Sequence, residues 1–474
     1  MLFNSLEFLL FFPVVCIGYF TINGNKWRNL WLLAASYYFY MCWEPVYALL
    51  LLTSTAITYF SAFLIGKYEK RKKFFLGVSI VLNLIILFFF KYFNWAAEGV
   101  GMLMETFGVK MSVPHFNILL PVGISFYIFQ ALGYSIDVYR GNVKIEKNFF
   151  TYALFVSFFP QLVAGPIERS TNLLKQFYEK HEFDYERVMS GIRLMVWGYF
   201  MKLVVADRCA IYVDAIFNNV NHHNGGSFLI ASLMFPFQLY GDFAGYSLIA
   251  IGCAKILGFN LMNNFMRPYI FSVSIQDYWK RNHISLTTWF MDYVYYPMIG
   301  SSINIYWWCF CIFITFVISG FWHGANLTYV LSFAIFGLYL VVCILKDKPQ
   351  KRFEKKHNLK KAEWWIWLNR IITFALVVFA LIFFRANNIA DAFKVVSKIF
   401  VDIRYPFMRE ADMFAAFVAV SILLVKEFIE EYNINFSISE SRFWLVRHAY
   451  IIFMVICIIL FGVLGAEQFI YFQF

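Results

Sequence analysis

Long apolar runs separated by short polar stretches restrict the fold of this sequence more than any other feature. A helix of about 20 apolar residues spans the ~30 Å hydrocarbon core of a membrane. Candidate windows lie at residues 5–22, 28–43, 46–66, 74–93, 118–138, 149–165, 189–206, 227–254, 304–321, 325–345, 366–385, 411–429 and 448–466. They predict an all-α polytopic membrane protein with about 10–13 membrane helices, some of them short or re-entrant.

The composition excludes a soluble globular chain. Hydrophobic residues make up 61% of the sequence and charged residues only 15%, whereas a soluble domain is about half apolar and a quarter charged. The net charge of +11 arises from Lys and Arg that cluster in short loops. This excess of positive charge in the loops predicts that it orients the protein in a membrane, whose lipids are its partners. Binding to nucleic acid is not predicted.

Two basic clusters predict which loops face the cytosol. One spans Lys67–Lys73 and a denser one spans Lys346–Lys361. Short Lys/Arg-rich loops stay on the cytoplasmic side, although the denser cluster is also suited to docking an acidic carrier protein or cofactor phosphates. Because the run 326–345 is about one bilayer thickness, the preceding element Ser319–Gly324 is expected toward the opposite side.

We predict one integral-membrane domain over residues 1–474. Its segments are N-terminal helices (1–115), a catalytic core (116–345), a basic cytoplasmic loop (346–363) and C-terminal helices (364–474).

Two polar segments do not fit simple membrane spans. Residues 166–188 carry many charges and predict an interfacial or cytosolic amphipathic stretch. Residues 263–300 mix charges with many aromatic side chains. Such a segment is tolerated at membrane depth only where protein or a water-filled cavity surrounds it. We therefore expect 263–300 to form short helices packed inside the bundle.

The signature motifs of common soluble enzymes are missing from the sequence. It contains no G-x-x-x-x-G-K-[ST] loop, no G-x-G-x-x-G turn, no G-x-S-x-G elbow and no H-E-x-x-H helix. An ATP-driven pump is therefore not predicted. Cys309 and Cys311 have no partner ligands at zinc-like spacing, so we predict neither a metal ion nor a permanently bound cofactor.

His323 is the strongest candidate for chemistry. It lies between two apolar runs, where an ionisable side chain is costly and usually marks a function. An imidazole can stay neutral there and still accept a proton from a hydroxyl. The flanking Gly320 and Gly324 also allow a second interpretation, in which G-x-x-x-G packs two helices together and the histidine is hydrogen-bonded across them.

Two further polar residues stand out. His283 follows Lys280 and Arg281, and without further information it could be an interfacial histidine beside cationic anchors. Asp242 lies within an apolar helix, so it should face the bundle interior and pair with another group.

These residues belong to longer motifs through which the chain resembles the membrane-bound O-acyltransferase family, within it the alginate O-acetylation branch, and more distantly the D-alanyl transfer proteins of teichoic acids. The resemblance covers nearly the whole chain. Its most specific stretches are Tyr278–Leu286 running into Trp289–Pro297, and Gly320–Gly324. Supporting matches are Pro121–Phe126, Asp137–Gly141, Phe159–Ile167 and the tail Phe469–Phe474.

The resemblance implies a helical bundle around a central tunnel, with His323 and His283 as catalytic residues. Supporting or substrate-binding roles would fall to Trp322, Asn282, Lys280, Arg281, Ser285, Asp292 and Asp242. It also implies transfer of an acyl group, most simply acetyl, from a cytosolic thioester such as acetyl-CoA or an acyl carrier protein. The acceptor would be a cell-surface polysaccharide or an extracytoplasmic SGNH-type partner, at the bacterial inner membrane.

Departures from the branch leave alternatives open. Asn282 stands where the branch usually has Trp, Met291 where Arg is common, and Leu248 where an Asp often follows Gly-Tyr-Ser. These changes affect the expected acceptor rather than activity. D-alanyl transfer to teichoic acid is the alternative within the family. From another class, a secondary transporter or a flippase of lipid-linked sugar would also have many helices, although paired interrupted helices in two related halves are not evident.

Overall fold

All regular elements are helices, and the part of the chain that the structure describes contains no strand. The computed structural model describes residues 1–108, 120–163, 165–434, 441 and 443–463. The first ten helices are α1 (Leu6–Thr21), α2 (Asn25–Met41), α3 (Tyr47–Lys67), α4 (Lys72–Thr106), α5 (Ile124–Arg140), α6 (Phe149–Ser157), α7 (Phe159–Leu162), α8 (Leu173–Gln176), α9 (Tyr185–Tyr199) and α10 (Asp207–Phe217).

The later helices begin with a long one that contains Asp242. They are α11 (Gly225–Leu257), α12 (Pro268–Phe271), α13 (Ile275–Arg281), α14 (Ile284–Phe290), α15 (Tyr296–Ile299), α16 (Ile305–His323), α17 (Leu327–Lys356), α18 (Glu363–Arg385), α19 (Ile389–Val401), α20 (Glu410–Glu431) and α21 (Trp444–Phe461). Segments Phe200–Ala206 and Met291–Tyr295 are π-helical, and Glu69–Arg71 and Leu359–Lys361 are 3₁₀ turns. The predicted all-α fold is confirmed. The tail motif 469–474 lies outside the described residues.

Seven helices among the described residues are long and apolar enough to cross a membrane. They cover Tyr47–Lys67, Glu69–Thr106, Tyr185–Phe217, Ile305–His323, Leu327–Lys356, Glu363–Arg385 and Trp444–Phe461. Hydropathy windows predict more, because several windows hold elements that are shorter or more polar. The window 149–165, for example, is divided at Phe158, whose ψ of 109° is not helical, and α7 restarts with Pro160 in its first turn.

Contacts divide the chain into two compact units. The first comprises Met1–Leu194 and Ile249–Met262, and the second comprises Met195–Leu248 and Asn263–Phe474. The boundaries of these units differ from those of the predicted segments 1–115, 116–345, 346–363 and 364–474. Those segments remain predictions.

In the first unit, buried polar side chains join neighbouring helices. Ser54 on α3 donates to Oδ1 of Asn83 on α4 at 2.6 Å, and the Tyr152 hydroxyl on α6 donates to Oγ1 of Thr58 at 2.7 Å. Lipid tails are as apolar as leucine, so helices in a membrane associate through such hydrogen bonds and close packing.

The segment 166–188, which we predict as an amphipathic stretch, combines buried apolar side chains with exposed charged ones. It is mostly irregular, and several of its side chains are buried. The Glu168 carboxylate accepts the backbone N–H of Met262, and Gln176 exchanges two hydrogen bonds with the backbone of Asn260, at 2.7 and 2.9 Å. Glu168 and Gln176 thus satisfy backbone groups of the first unit, whereas most other charged side chains of the segment, such as Lys175 and Glu179, are exposed.

In the second unit, α16 and α17 form a tightly packed hairpin. A Cβ at Gly320 would lie 2.8 Å from Cα of Val330, and a Cβ at Gly337 would lie 3.2 Å from Cβ of Phe316. Gly320 thus allows close approach, as the packing interpretation expects. Gly324 instead lies beyond the end of α16, in extended backbone, so the G-x-x-x-G spacing does not form one packing face.

Helix α17 extends farther than predicted. Residues 346–356, which we predict as part of a cytoplasmic loop, continue this helix. Lys, Arg, Glu and Gln are good helix formers, and Asp347 pairs with Lys351 one turn later at 2.9 Å. At 1.5 Å per residue α17 is about 45 Å long. The turn after His323 and the basic residues therefore lie at opposite ends of one helix.

A buried ion triad joins α11 to the segment between α9 and α10. Lys202 Nζ lies 2.7 Å from Oδ1 of Asp207 and 2.7 Å from Oδ1 of Asp242, and all three side chains are buried. Gly241 allows this approach, since a Cβ there would lie 2.8 Å from the carbonyl oxygen of Met201. The structure thus pairs Asp242 within the bundle, with a lysine as its partner.

Replacing Lys202 by Met should destabilise the protein strongly. The change leaves two neighbouring buried carboxylates without their cation, and breaking a buried pair costs about 3–5 kcal/mol. We expect a lower midpoint of thermal unfolding in detergent for Lys202→Met, and substantial recovery in the triple variant that adds Asp207→Asn and Asp242→Asn. Lys360→Met, at an exposed position, is the control. Equal midpoints for Lys202→Met and wild type would contradict a stabilising triad.

Candidate active site

His323 is the last residue of α16, and a sharp turn places it. Gly324 leaves the helix in extended backbone, and Asn326 starts α17 by accepting the backbone N–H of Thr328 at 3.0 Å. The His323 ring is only 4% exposed. Its centroid lies 4.5 Å from that of Phe333 and 5.6 Å from that of Phe384.

His283 lies where α13 meets α14. Its backbone is left-handed, with φ of 44°, a conformation that few residues adopt but in which His is enriched. The ring is 3% exposed and meets the edge or face of Phe243 at 4.4 Å between centroids. The turn between two short helices thus directs an imidazole into the protein.

Asn264 holds this turn from a distant part of the chain. Its backbone carbonyl accepts the N–H of Ile284 at 2.9 Å, and its Oδ1 accepts the N–H of Ser285 at 3.1 Å and the Ser285 hydroxyl at 2.9 Å. His283 occupies the N-cap position without capping α14 itself. Asn264 supplies the acceptor that an N-cap side chain normally provides, and the imidazole of His283 lies away from the cap, beside Phe243.

An ion-pair cluster holds the other end of the turn. The Arg281 guanidinium donates to both carboxylate oxygens of Glu431 at 2.9 Å each, and its Nε lies 3.2 Å from Asp277. Arg267 also contacts Glu431, at 2.9 Å. A two-pronged contact of this kind fixes orientation as well as distance, so it ties α13 to the end of α20.

Both histidines line one cavity. Its walls are mostly aromatic, and its polar groups are few. The lining residues are Leu239, Phe243, Phe265, Tyr269, Tyr278, Trp279, Asn282, His283, His323, Phe333, Phe336, Leu381 and Phe384. A mostly apolar concave site with a few convergent polar groups is typical of a small-molecule binding site.

Three other predicted site residues lie near the histidines. Asn282 lines the cavity. Trp322 packs between the two rings, with centroids 6.1 Å from His283 and 4.9 Å from His323. Ser285 is buried and bonds Asn264, so it anchors the turn.

The remaining predicted site residues lie elsewhere. Arg281 belongs to the ion-pair cluster with Glu431, and Asp242 contacts Lys202. Lys280 and Asp292 are exposed. None of these four lines the cavity among the residues that the structure describes.

The environment determines what the imidazoles can do. Burial lowers the pKa of His283 well below its usual range, so this ring is neutral at physiological pH. A neutral imidazole carries one N–H donor and one acceptor nitrogen, and both suit proton transfer in an apolar cavity. Among the described residues, no three His, Cys, Asp or Glu side chains are grouped as metal ligands would be.

Removing the Asn264 side chain should loosen the turn without unfolding the protein. Asn264→Ala deletes the acceptor for the Ser285 N–H and hydroxyl, so we expect faster amide hydrogen exchange over residues 283–286, measured by mass spectrometry in detergent. The control is Asn263→Ala, at the neighbouring exposed position. Exchange that is unchanged, or that rises equally in the control, would refute this role for Asn264.

The region that contains this site matches a known protein family. A model of the membrane-bound O-acyltransferase family matches residues 142–384, a range that contains Asn264, His283 and His323. The chain is 36% identical over 404 residues to the probable alginate O-acetylase of Pseudomonas aeruginosa, covering 84% of this chain and 75% of that protein.

Two other relatives are named for different activities. The peptidoglycan O-acetyltransferase of Helicobacter pylori is 31% identical over 431 residues, covering 83% of this chain and 79% of that protein. The teichoic acid D-alanyltransferase of Bacillus subtilis is 25% identical over 408 residues, covering 81% and 97%. The relatives thus include proteins named for O-acetylation and proteins named for D-alanylation. The chain belongs to the membrane-bound O-acyltransferase family and is a multi-pass membrane acyltransferase.

Proposed function

We propose that the chain transfers an acetyl group from a cytosolic thioester, across the bacterial inner membrane, to a hydroxyl on the far side. The acceptor is a cell-surface polysaccharide, reached directly or through an extracytoplasmic SGNH-type partner protein. The observation that carries this proposal is the shared cavity, in which His323 and His283 face one apolar space.

The two histidines suit different parts of one reaction. His323 removes the proton from the acceptor hydroxyl while the hydroxyl oxygen attacks the thioester carbonyl carbon. His283 donates a hydrogen bond to the developing oxyanion or orients the substrate. The surrounding aromatic walls exclude water and hold the reactants in position, which removes much of the entropic barrier.

The position of the cavity along α17 supports a transfer across the membrane. Phe333 and Phe336 line the cavity from the first third of this helix, and its basic residues lie at the other end. Basic ends favour the cytoplasmic side, so His323 lies toward the extracytoplasmic side. The thioester approaches from the basic side and the acceptor from the opposite one.

An uncharged acyl group fits the cavity better than D-alanyl. A D-alanyl group carries an ammonium, and burying an unpaired charge is expensive. No lining residue carries a carboxylate among those that the structure describes. The higher identity to O-acetylating relatives, 36% and 31% against 25%, agrees with this choice.

Replacing His323 by Ala should abolish transfer. Loss of a general base lowers the rate by roughly 10²–10⁴-fold. We expect this loss at an unchanged protein level in membrane vesicles supplied with labelled acetyl donor, with ester formation on the acceptor as the readout. His283→Ala should give a large but incomplete loss.

The exposed His222 provides the matched control, and His222→Ala should transfer at the wild-type rate. Near-normal transfer by His323→Ala would refute its role as base. If His283→Ala lowers only protein abundance, then His283 has a structural role.

Donor competition distinguishes the acyl groups. Vesicles offered equal amounts of acetyl and D-alanyl carriers should esterify the acceptor mainly with acetyl, because the described lining residues include no carboxylate that could pair with an ammonium. The acyl group is identified by mass spectrometry of the acceptor. Preferential D-alanyl transfer would overturn the acetyl assignment, and solute uptake without ester formation would favour a transporter.

A further inference from the structure

Trp279 lines the cavity with an indole ring whose N–H group the reaction outlined above does not use. It lies on α13 and is 8% exposed. Its ring packs against Phe316, Phe333 and Phe336, with centroids 5.0, 5.6 and 5.1 Å away. These neighbours have no hydrogen-bond acceptor in their side chains, so they hold the indole in place without satisfying its N–H.

The indole nitrogen is buried and has no hydrogen-bond partner among the described residues. An indole N–H is a donor only. Buried polar groups of native proteins are nearly always hydrogen-bonded, and an exception calls for a specific explanation. Because Trp279 lines the same cavity as both histidines, a bound substrate can supply the missing acceptor.

The position of Trp279 relative to His323 indicates which substrate atom accepts the hydrogen bond of the indole N–H. Both rings pack against Phe333, at 5.6 and 4.5 Å. A carbonyl group attacked by a hydroxyl that His323 deprotonates must lie beside His323, and therefore close to this shared wall. The carbonyl oxygen of the thioester is the hydrogen-bond acceptor that gains negative charge at this position.

We propose that Trp279 is a catalytic residue whose indole N–H stabilises the oxyanion formed from the thioester carbonyl. This inference rests on the proposed function. The hydroxyl oxygen forms a bond to the carbonyl carbon, its proton passes to His323, and the carbonyl π electrons move onto the oxygen that Trp279 contacts. When the oxyanion collapses, the carbon–sulfur bond breaks and the thiolate takes the proton from His323, giving ester and thiol.

Trp279 acts beside His283 in this proposal, and the tyrosine hydroxyls of the lining are less suited to the role. The hydroxyls of Tyr269 and Tyr278 lie within 3.5 Å of each other, so each has a protein neighbour. The Trp279 N–H, held by three rings, is fixed before the substrate arrives, and such preorganised donors are the effective ones in transition-state stabilisation.

Two variants separate the N–H from the shape of the ring. Trp279→Phe removes the donor and part of the ring, and replacement of the Trp279 side chain by its benzothienyl analogue exchanges N–H for sulfur in a ring of nearly the same shape. We expect both to lower kcat by roughly 10²–10³-fold, the loss typical of one oxyanion donor. The KM for the acetyl thioester should change little, because the hydrogen bond strengthens only in the transition state.

Trp197→Phe is the matched control, since this tryptophan is also buried but does not line the cavity. It should retain wild-type kcat. A wild-type kcat in the benzothienyl variant would overturn the proposal, as would a loss confined to KM or to the thermal midpoint. Wild-type protein without any acetyl transfer would instead refute the proposed function, so the two failures are distinguishable.

Discussion

The need to satisfy backbone polar groups inside an apolar bundle governs the rest of this structure. Residues 263–300 are too polar to span a membrane as one helix, and at membrane depth every N–H and C=O requires a partner within the protein. The chain meets this need with short helices joined by cross-links between distant residues. Asn264 bonds the start of α14, and the N–H of Met266 bonds the carbonyl of Arg281 at 2.8 Å.

This arrangement also makes the site possible. Because Asn264 caps α14 from outside, His283 can occupy the N-cap position with its ring in the cavity. Helix α11 forms another wall through Leu239 and Phe243, and the ion triad around Lys202 holds that helix by the adjacent Asp242. Residues that stabilise the second unit are thus direct neighbours in sequence of residues that line its cavity. The positions of the imidazoles depend on these stabilising contacts.

The sequence allows the fold class and the main candidate residues to be predicted, for identifiable physical reasons. Apolar runs of membrane length predict helices regardless of their packing. His323 is recognisable because it lies alone between two such runs, and His283 because of the motif that carries the family resemblance. The polar character of 263–300 also predicts short buried helices; α12, α13 and α14 are short and carry buried side chains, whereas α15 has no buried residue.

Other features have no local signal. The contact of Asn264 with Ser285 joins residues 21 apart, and an Asn in a polar segment looks like a turn residue. The continuation of α17 into its basic end is hidden because charge clusters are read as loops, although Lys and Glu form helices well. The family resemblance implies supporting roles for Lys280 and Asp292, but short helices turn neighbouring side chains in different directions, and both residues are exposed.

The central claim is that a thioester carbonyl reacts beside His323 in the cavity shared with His283. The most direct test is an experimental structure of the protein with an unreactive donor analogue in which a methylene group replaces the thioester sulfur. The account predicts that the analogue's carbonyl lies in the cavity, in contact with His323 and within hydrogen-bond reach of His283 or Trp279. An inhibitory analogue bound at another place, with both imidazoles out of reach of its carbonyl, would contradict it.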